Sequence, residues 1–217
     1  MKKQYDLVIF DFDGTLMDTG EGVRASAAYA IRKCGLGDPS EEEMNVFIGP
    51  PFNVQIARMY PLTQEQVWEV TTCFRDHYST VNLLKARLYD GILETIDEIR
   101  NLGIKTAVAT YKREDYARTI CDAFHFTERM DAVEGCDFHG KLSKNDIIRN
   151  SIEKCGISDY SRVLMIGDTV NDSEGAKQLS VDFLGALYGY GFYTAEERES
   201  ARALGFVRTP REVLEYL

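Results

Sequence analysis

Along the chain, short runs of consecutive apolar residues alternate with stretches whose apolar residues recur every three or four positions. Tyr5 to Asp11 (YDLVIFD) is such a run and predicts a strand buried on both faces of a parallel sheet. Gly20 to Cys34 reads as a helix, with Asp18 or Thr19 able to cap its start and Gly35 to end it. Residues 36 to 88 carry no strand-like run. They predict short helices over Glu41–Phe47 and Phe52–Met59, broken by Gly49-Pro50-Pro51, then a longer one. That last helix starts at a Thr63/Gln66 capping box and carries Val67, Val70, Phe74 and Tyr78. This is a helical insertion of about fifty residues.

Alternation resumes after Tyr89-Asp90-Gly91. A helix marked by Leu93, Ile96 and Ile99 precedes a strand over Ile104–Thr110 and a helix over Glu114–Phe124. A short strand at Ala132–Glu134 follows, then a helix capped by Ser143 and closed by Gly156. Arg162–Gly167 and Val181–Leu187 read as strands, Asn171–Leu179 and Ala195–Ala203 as helices, and Phe206-Val207 and Arg211–Tyr216 finish the chain. Strand–helix alternation of this kind predicts a doubly wound α/β core with a mostly parallel sheet.

At 217 residues the chain fits one α/β domain carrying one insertion. A net charge of −10 argues against a general affinity for nucleic acid or for an anionic membrane, since both need clustered Lys and Arg. A small anionic substrate must then be drawn by a local positive site. The five cysteines are odd in number and form no C-x-x-C, which reads as free thiols in a reducing cytosol. No apolar run approaches the ~20 residues that span a bilayer, and the start Met-Lys-Lys-Gln-Tyr-Asp lacks a signal-peptide pattern. The expected location is cytoplasmic.

In doubly wound sheets the ligand sits beyond the carboxyl ends of the strands, and three strands here end in a coherent set of polar residues. The first runs into Asp11-Phe12-Asp13-Gly14-Thr15, the second ends at Thr110-Tyr111-Lys112, and the third leads into Gly167 and Asp168, with Asp172 four positions on. Lys144 stands at the start of another helix. Asp11 and Asp13 share a side if extended geometry persists. Asp168 and Asp172 lie one turn apart if a helix begins after Asp168. Were the four carboxylates to converge, each close pair would repel by on the order of 4 kcal/mol at an effective dielectric near 20. A cation must then neutralise them, and hard oxygen donors with few imidazoles point to Mg²⁺ rather than zinc. A carboxylate nucleophile, a second carboxyl, a Lys, a hydroxyl and Mg²⁺ together suit phosphoryl transfer. Each pair also has a plainer reading. Asp11 and Asp13 can shape a turn, and Asp168 and Asp172 can cap a helix and line its solvated face.

The segment Asp11-Phe12-Asp13-Gly14-Thr15-Leu16 resembles the first motif of the haloacid dehalogenase-like hydrolases. Thr110 after an apolar strand resembles the second motif, Lys144 the third, and Gly167-Asp168-Thr169-Val170-Asn171-Asp172 the fourth. The order is the family's, and the insertion resembles the helical cap of its phosphoglycolate phosphatase and nucleotidase branch. That resemblance implies a Rossmann-like core over residues 1–18 and 89–217 and a cap over 19–88. It also implies a small phosphorylated metabolite as substrate. Asp11 would attack phosphorus, and Asp13 would act as acid and then base. Thr110 and Lys144 would hold the phosphoryl group. Asp11, the Asp13 carbonyl and Asp168 would bind Mg²⁺, with Asp172 supporting the metal site directly or through water. Asn145 stands where relatives often carry Pro, which makes Lys141 a competitor for the role of Lys144. Lys112 reads equally as a phosphate contact or a surface residue. A sugar phosphomutase of the same fold shares all four motifs, and a non-enzymatic regulatory module on a degenerate core is the remaining alternative.

Overall fold

The computed structural model describes residues 4–217. Six parallel strands form one sheet: β1 (Leu7–Phe10), β2 (Lys105–Arg113), β3 (Ala132–Cys136), β4 (Val163–Gly167), β5 (Asp182–Ala186) and β6 (Phe206–Val207). Their order across the sheet is β3-β2-β1-β4-β5-β6. The central strand is the contiguous run LVIF, all four residues buried. Ile9 lies level with Ala107 of β2 on one side and Met165 of β4 on the other.

Flanking helices cover the faces. Leu7, Ile9, Ala107, Ala109, Val163 and Met165 pack with Ile147, Ile148 and Ile152 of α7 (Lys144–Lys154) and Ala176 of α8 (Val170–Gln178). Val8 and Phe10 alternate to the other face and are equally buried. There α5 (Ile92–Asn101), packed on β2, buries Ile92, Ile96 and Ile99. Burying each such side chain stabilises by about 1.5–3 kcal/mol. Helix α6 (Glu114–Ala123) covers β3, and α9 (Ala195–Ser200) precedes β6. Because β1 lies between β2 and β4, chain connections run in opposite directions from it. The carboxyl ends of β1 and β4 therefore border the crevice where doubly wound sheets bind ligands.

The chain divides into two compact units, one ending at Asp18 and resuming at Leu88, the other spanning Thr19–Arg87. The second is helical: α1 (Gly20–Lys33), α2 (Glu41–Asn45), α3 (Phe52–Met59) and α4 (Gln64–His77). Phe47, Phe52, Phe74 and Tyr78 stack in series, with ring centroids 4.8, 4.1 and 5.6 Å apart. Trp68, by contrast, is half exposed beneath the Arg75 guanidinium. The Thr63/Gln66 capping box forms. At the start of α1, Thr19 takes the N-cap position without a side-chain capping bond.

Several element ends differ from the pattern reading, most of them by one or two residues. Strand β2 runs on past Thr110 to Arg113, the helix after Thr194 stops at Ser200, and the chain ends in a 3₁₀ helix over Pro210–Tyr216. A π-helical turn, Tyr78–Asn82, continues α4. None of these carries an apolar period of its own, so periodicity did not mark them. We expect Ile9→Ala to destabilise the protein by about 2–5 kcal/mol through cavity formation. Leu102→Ala, at a 63% exposed site, should stay within about 0.5 kcal/mol. The urea unfolding midpoints of the two variants check this.

Candidate active site

The polypeptide turns sharply at the end of β1. The amide of Asp11 donates to Ile166 of β4 at 2.8 Å, while the amides of Leu16 and Met17 both donate to the Phe12 carbonyl. Phe12 is fully buried, edge-on to Phe126. Gly14 sits at φ +81°, and a Cβ there would lie 2.0 Å from the Asp168 carboxylate. The position needs glycine both for its backbone conformation and for the closeness of the carboxylate behind it.

Asp168 follows β4 directly and is fully buried. Its Oδ2 accepts from the Tyr190 amide at 2.7 Å, and its buried Oδ1 has no hydrogen-bond partner. Asp172 sits in the first turn of α8, where Oδ2 accepts from the amide of Thr169 (3.1 Å) and from its hydroxyl (2.7 Å). This capping bond fixes one oxygen of Asp172 and leaves Oδ1 for the site. Carboxylate oxygens of Asp11, Asp168 and Asp172 all lie within 4.8 Å of one another.

Lys144 is the cation among them. Ser143 caps α7, the Lys144 amide donates to the Tyr111 hydroxyl at 3.0 Å, and the ammonium lies 2.6 Å from both Asp11 Oδ1 and Asp172 Oδ1. Its stem passes Gly175 of α8, where a Cβ would come within 2.9 Å. Lys141, the competitor, is exposed.

The second strand contributes through a bulge. Ala109 pairs with Glu134 and Arg113 with Cys136, so four steps along β2 match two along β3. Bulges re-aim side chains beside active sites, and this one carries Thr110, Tyr111 and Lys112. Thr110 is buried, its hydroxyl accepting from the Lys112 amide at 3.1 Å. Lys112 is buried too, its ammonium 3.0 Å from Asp13 Oδ1. The pattern reading left Lys112 open, because a lysine two residues past an expected strand end carries no burial signal. The loop after β5, including Tyr190, escaped that reading altogether, since the Asp168 bond is made by a backbone amide.

The electrostatics follow from burial. Desolvation, reinforced by the charge of Asp172 and opposed by Lys144, pushes the Asp11 carboxyl up to about 7. Burial, then the charges of Asp172 and Asp11, raises Asp168 well above the usual carboxylate range. Burial works against the charge of Lys144, but Asp11 and Asp172 outweigh it and raise its value, holding the ammonium charged. One ammonium thus faces three carboxylates. An orphaned buried oxygen and a surplus of hard anionic donors fit a divalent cation such as Mg²⁺, which Asp11, Asp168 and Asp172 could hold. Asp13 lies outside that carboxylate cluster among the described residues.

Comparison with known proteins points the same way. A model of the family described as haloacid dehalogenase-like hydrolase matches residues 8–186. The chain is 31% identical over 189 residues to a 5'-nucleotidase of Pseudomonas aeruginosa, covering 87% of this chain and 85% of that protein. It is likewise 31% identical over 190 residues to a phosphoglycolate phosphatase of Agrobacterium fabrum, covering 85% and 81%. Among solved structures, a predicted phosphatase from Clostridium acetobutylicum aligns with a TM-score of 0.90 at 30% identity, over 98% of this chain and 100% of that one.

The raised Asp11 carboxyl sets a pH dependence. Protonation of Asp11 favours the folded state, so its contribution is complete below the unfolded value near 4. It is lost as pH rises through about 7. In EDTA the melting temperature should therefore fall between pH 5 and pH 8, and Mg²⁺ should restore it at pH 8. Asp168→Asn keeps an acceptor for the Tyr190 amide and removes one buried charge. It should raise the stability in EDTA at pH 8 and lose the Mg²⁺ response, as read by differential scanning calorimetry.

Proposed function

The chain belongs to the haloacid dehalogenase-like hydrolase family, and we propose that it is a Mg²⁺-dependent phosphatase acting on a small phosphomonoester through an aspartyl-phosphate. The observation that carries this reading is the Lys144 ammonium set 2.6 Å from both Asp11 and Asp172, beside an unpartnered buried oxygen of Asp168. Three buried carboxylates and one lysine form a costly arrangement that a structural role alone does not require. Relatives named as a phosphoglycolate phosphatase and a 5'-nucleotidase support the phosphomonoester class.

In the proposed reaction Lys144 holds Asp11 Oδ1, so Oδ2 is the oxygen that attacks phosphorus. The Asp11 O–P bond forms as the ester P–O bond breaks, and Asp13 passes a proton to the departing alkoxide. Asp13 then takes a proton from the water that attacks the aspartyl-phosphate. Inorganic phosphate leaves and Asp11 is regenerated, for a net change of ester plus water to alcohol plus phosphate. Lys144 and the Thr110 hydroxyl hold the phosphoryl oxygens, and Lys112 keeps the Asp13 side chain directed at the crevice. Mg²⁺ held by Asp11, the Asp13 carbonyl and Asp168, with Asp172 in support, would neutralise the carboxylates and draw charge from the transferring phosphoryl group. We further propose that the helical unit over residues 19–88 serves as the cap that selects the substrate.

The test is phosphate release from a panel including phosphoglycolate, nucleoside monophosphates and sugar phosphates, with and without Mg²⁺. We expect turnover of at least one compound, silenced by EDTA. Asp11→Asn should lower kcat by about 10⁴-fold or more while circular dichroism shows an intact fold. Full-rate turnover by Asp11→Asn would falsify the nucleophile assignment. Isomerisation of a sugar phosphate without phosphate release would instead identify a mutase.

A further inference from the structure

We infer that Tyr190 is a positioning residue whose hydroxyl bond to Asp18 sets the aim of the Asp168 carboxylate toward a divalent cation. The inference rests on the metal reading above and adds to it a role for the loop that follows β5. That loop, Leu187-Tyr188-Gly189-Tyr190-Gly191, contains no acidic residue and none of the four motif positions.

Its backbone lies directly against Asp168. A Cβ on Gly189 would stand 2.4 Å from Asp168 Cβ and 2.3 Å from the Gly14 carbonyl, and one on Gly191 would stand 2.2 Å from the Asp168 carbonyl. Between these two glycines the Tyr190 amide donates to Asp168 Oδ2 at 2.7 Å. With Oδ2 held there, Oδ1 is left as a buried oxygen without a protein partner. The orientation of Asp168 is thus set by one backbone amide, and the place of that amide depends on what anchors its residue.

The anchors are the tyrosine hydroxyls. The Tyr190 hydroxyl donates to the Asp18 carboxylate, and the Tyr188 hydroxyl donates to the Thr15 carbonyl at 3.1 Å. The Tyr188 ring also meets Tyr89 edge-on, centroids 4.8 Å apart. Both hydroxyls therefore fasten the loop to the segment that carries Asp11 and Asp13. A hydrogen bond to a carboxylate is stronger than a neutral one, which makes the Tyr190–Asp18 bond the firmer of the two. Losing a group that orients a metal ligand from behind typically costs about 10–100-fold in metal affinity.

The experiment is a Mg²⁺ titration by isothermal calorimetry on the full chain, paired with steady-state kinetics. Tyr190→Phe keeps the amide and the ring and removes only the hydroxyl. Its Kd for Mg²⁺ should rise by about 10-fold, with kcat largely recovered at saturating Mg²⁺ and substrate KM unchanged. Asp18→Ala should reproduce the effect, and the double variant should add nothing further. Tyr193→Phe, at a 71% exposed site, should bind as the wild type does. If Tyr190→Phe fails to fold, Asp18→Ala carries the test alone. Wild-type Mg²⁺ affinity in both single variants, or additive losses in the double, overturns the inference while leaving the metal site standing. A wild-type protein that takes up neither Mg²⁺ nor Mn²⁺ overturns the metal site, and this inference with it.

Discussion

Three carboxylates held within 4.8 Å of one another and away from water impose the constraint from which the rest of the site follows. Each close pair repels by on the order of 4 kcal/mol at an effective dielectric near 20, against a typical domain stability of about 5–15 kcal/mol. Lys144 offsets part of this by bridging Asp11 and Asp172. It reaches neither Asp168 oxygen, so the cluster keeps an anionic surplus on the side where Asp168 Oδ1 stands unpaired. A buried pair of this kind is weak evidence for stability, because taking its members out of water costs as much as their attraction returns. Its meaning lies in the surplus, which creates affinity for a cation where the bare fold would resist one more charge of either sign.

The fold meets that constraint with local devices rather than with bulk packing. Parallel strands β1 and β4 end side by side at the reversal of strand order, so Asp11 and Asp168 meet although far apart in the chain. The capping bond at Thr169 occupies one oxygen of Asp172 and turns the other toward Lys144. Gly14 and Gly175 remove the side chains that would otherwise fill the space of Asp168 and Lys144. The bulge in β2 brings Thr110 and Lys112 to the same crevice with two residues more than a regular ladder allows. The cap and the two glycines are each specified by one or two residues, whereas the strand-order reversal and the bulge are properties of the sheet.

Legibility in the sequence follows that division. Contiguous apolar runs marked β1 and β4, because strands buried on both faces are mostly apolar. By contrast, β2 and β3 carry buried polar residues such as Thr106 and Glu134, and β6 is only two residues long. The capping box at Thr63 and the cap at Ser143 located two helix starts, since those residues are visible as letters. The acidic residues at the strand ends were legible for a related reason: charge beside a buried strand is rare unless something uses it. Lys112 was only half visible, as its burial depends on a bulge that comes from register with β3 and not from any local pattern. Tyr190 was invisible. Its tie to Asp168 runs through a backbone amide that every non-proline residue possesses, and its hydroxyl partner Asp18 lies 172 positions away.

The two lysines also separate the two carboxylates of the first motif. Asp11 belongs to the crowded cluster and shares Lys144 with Asp172, while Asp13 lies outside it and faces Lys112 from a different strand. The hydrolysis we propose, through an aspartyl-phosphate on Asp11, needs that separation. A nucleophile must stay ionised in the presence of its cations, whereas an acid that becomes a base must exchange a proton with the leaving group and then with water. A carboxyl whose oxygens are given over to a divalent ion cannot do the second task. Placing a second ammonium at Asp13 lets the protein orient that group without drawing it into the cluster. Two aspartates two residues apart can then take different parts because they answer to cations delivered by different elements, Lys144 by α7 and Lys112 by the bulge of β2.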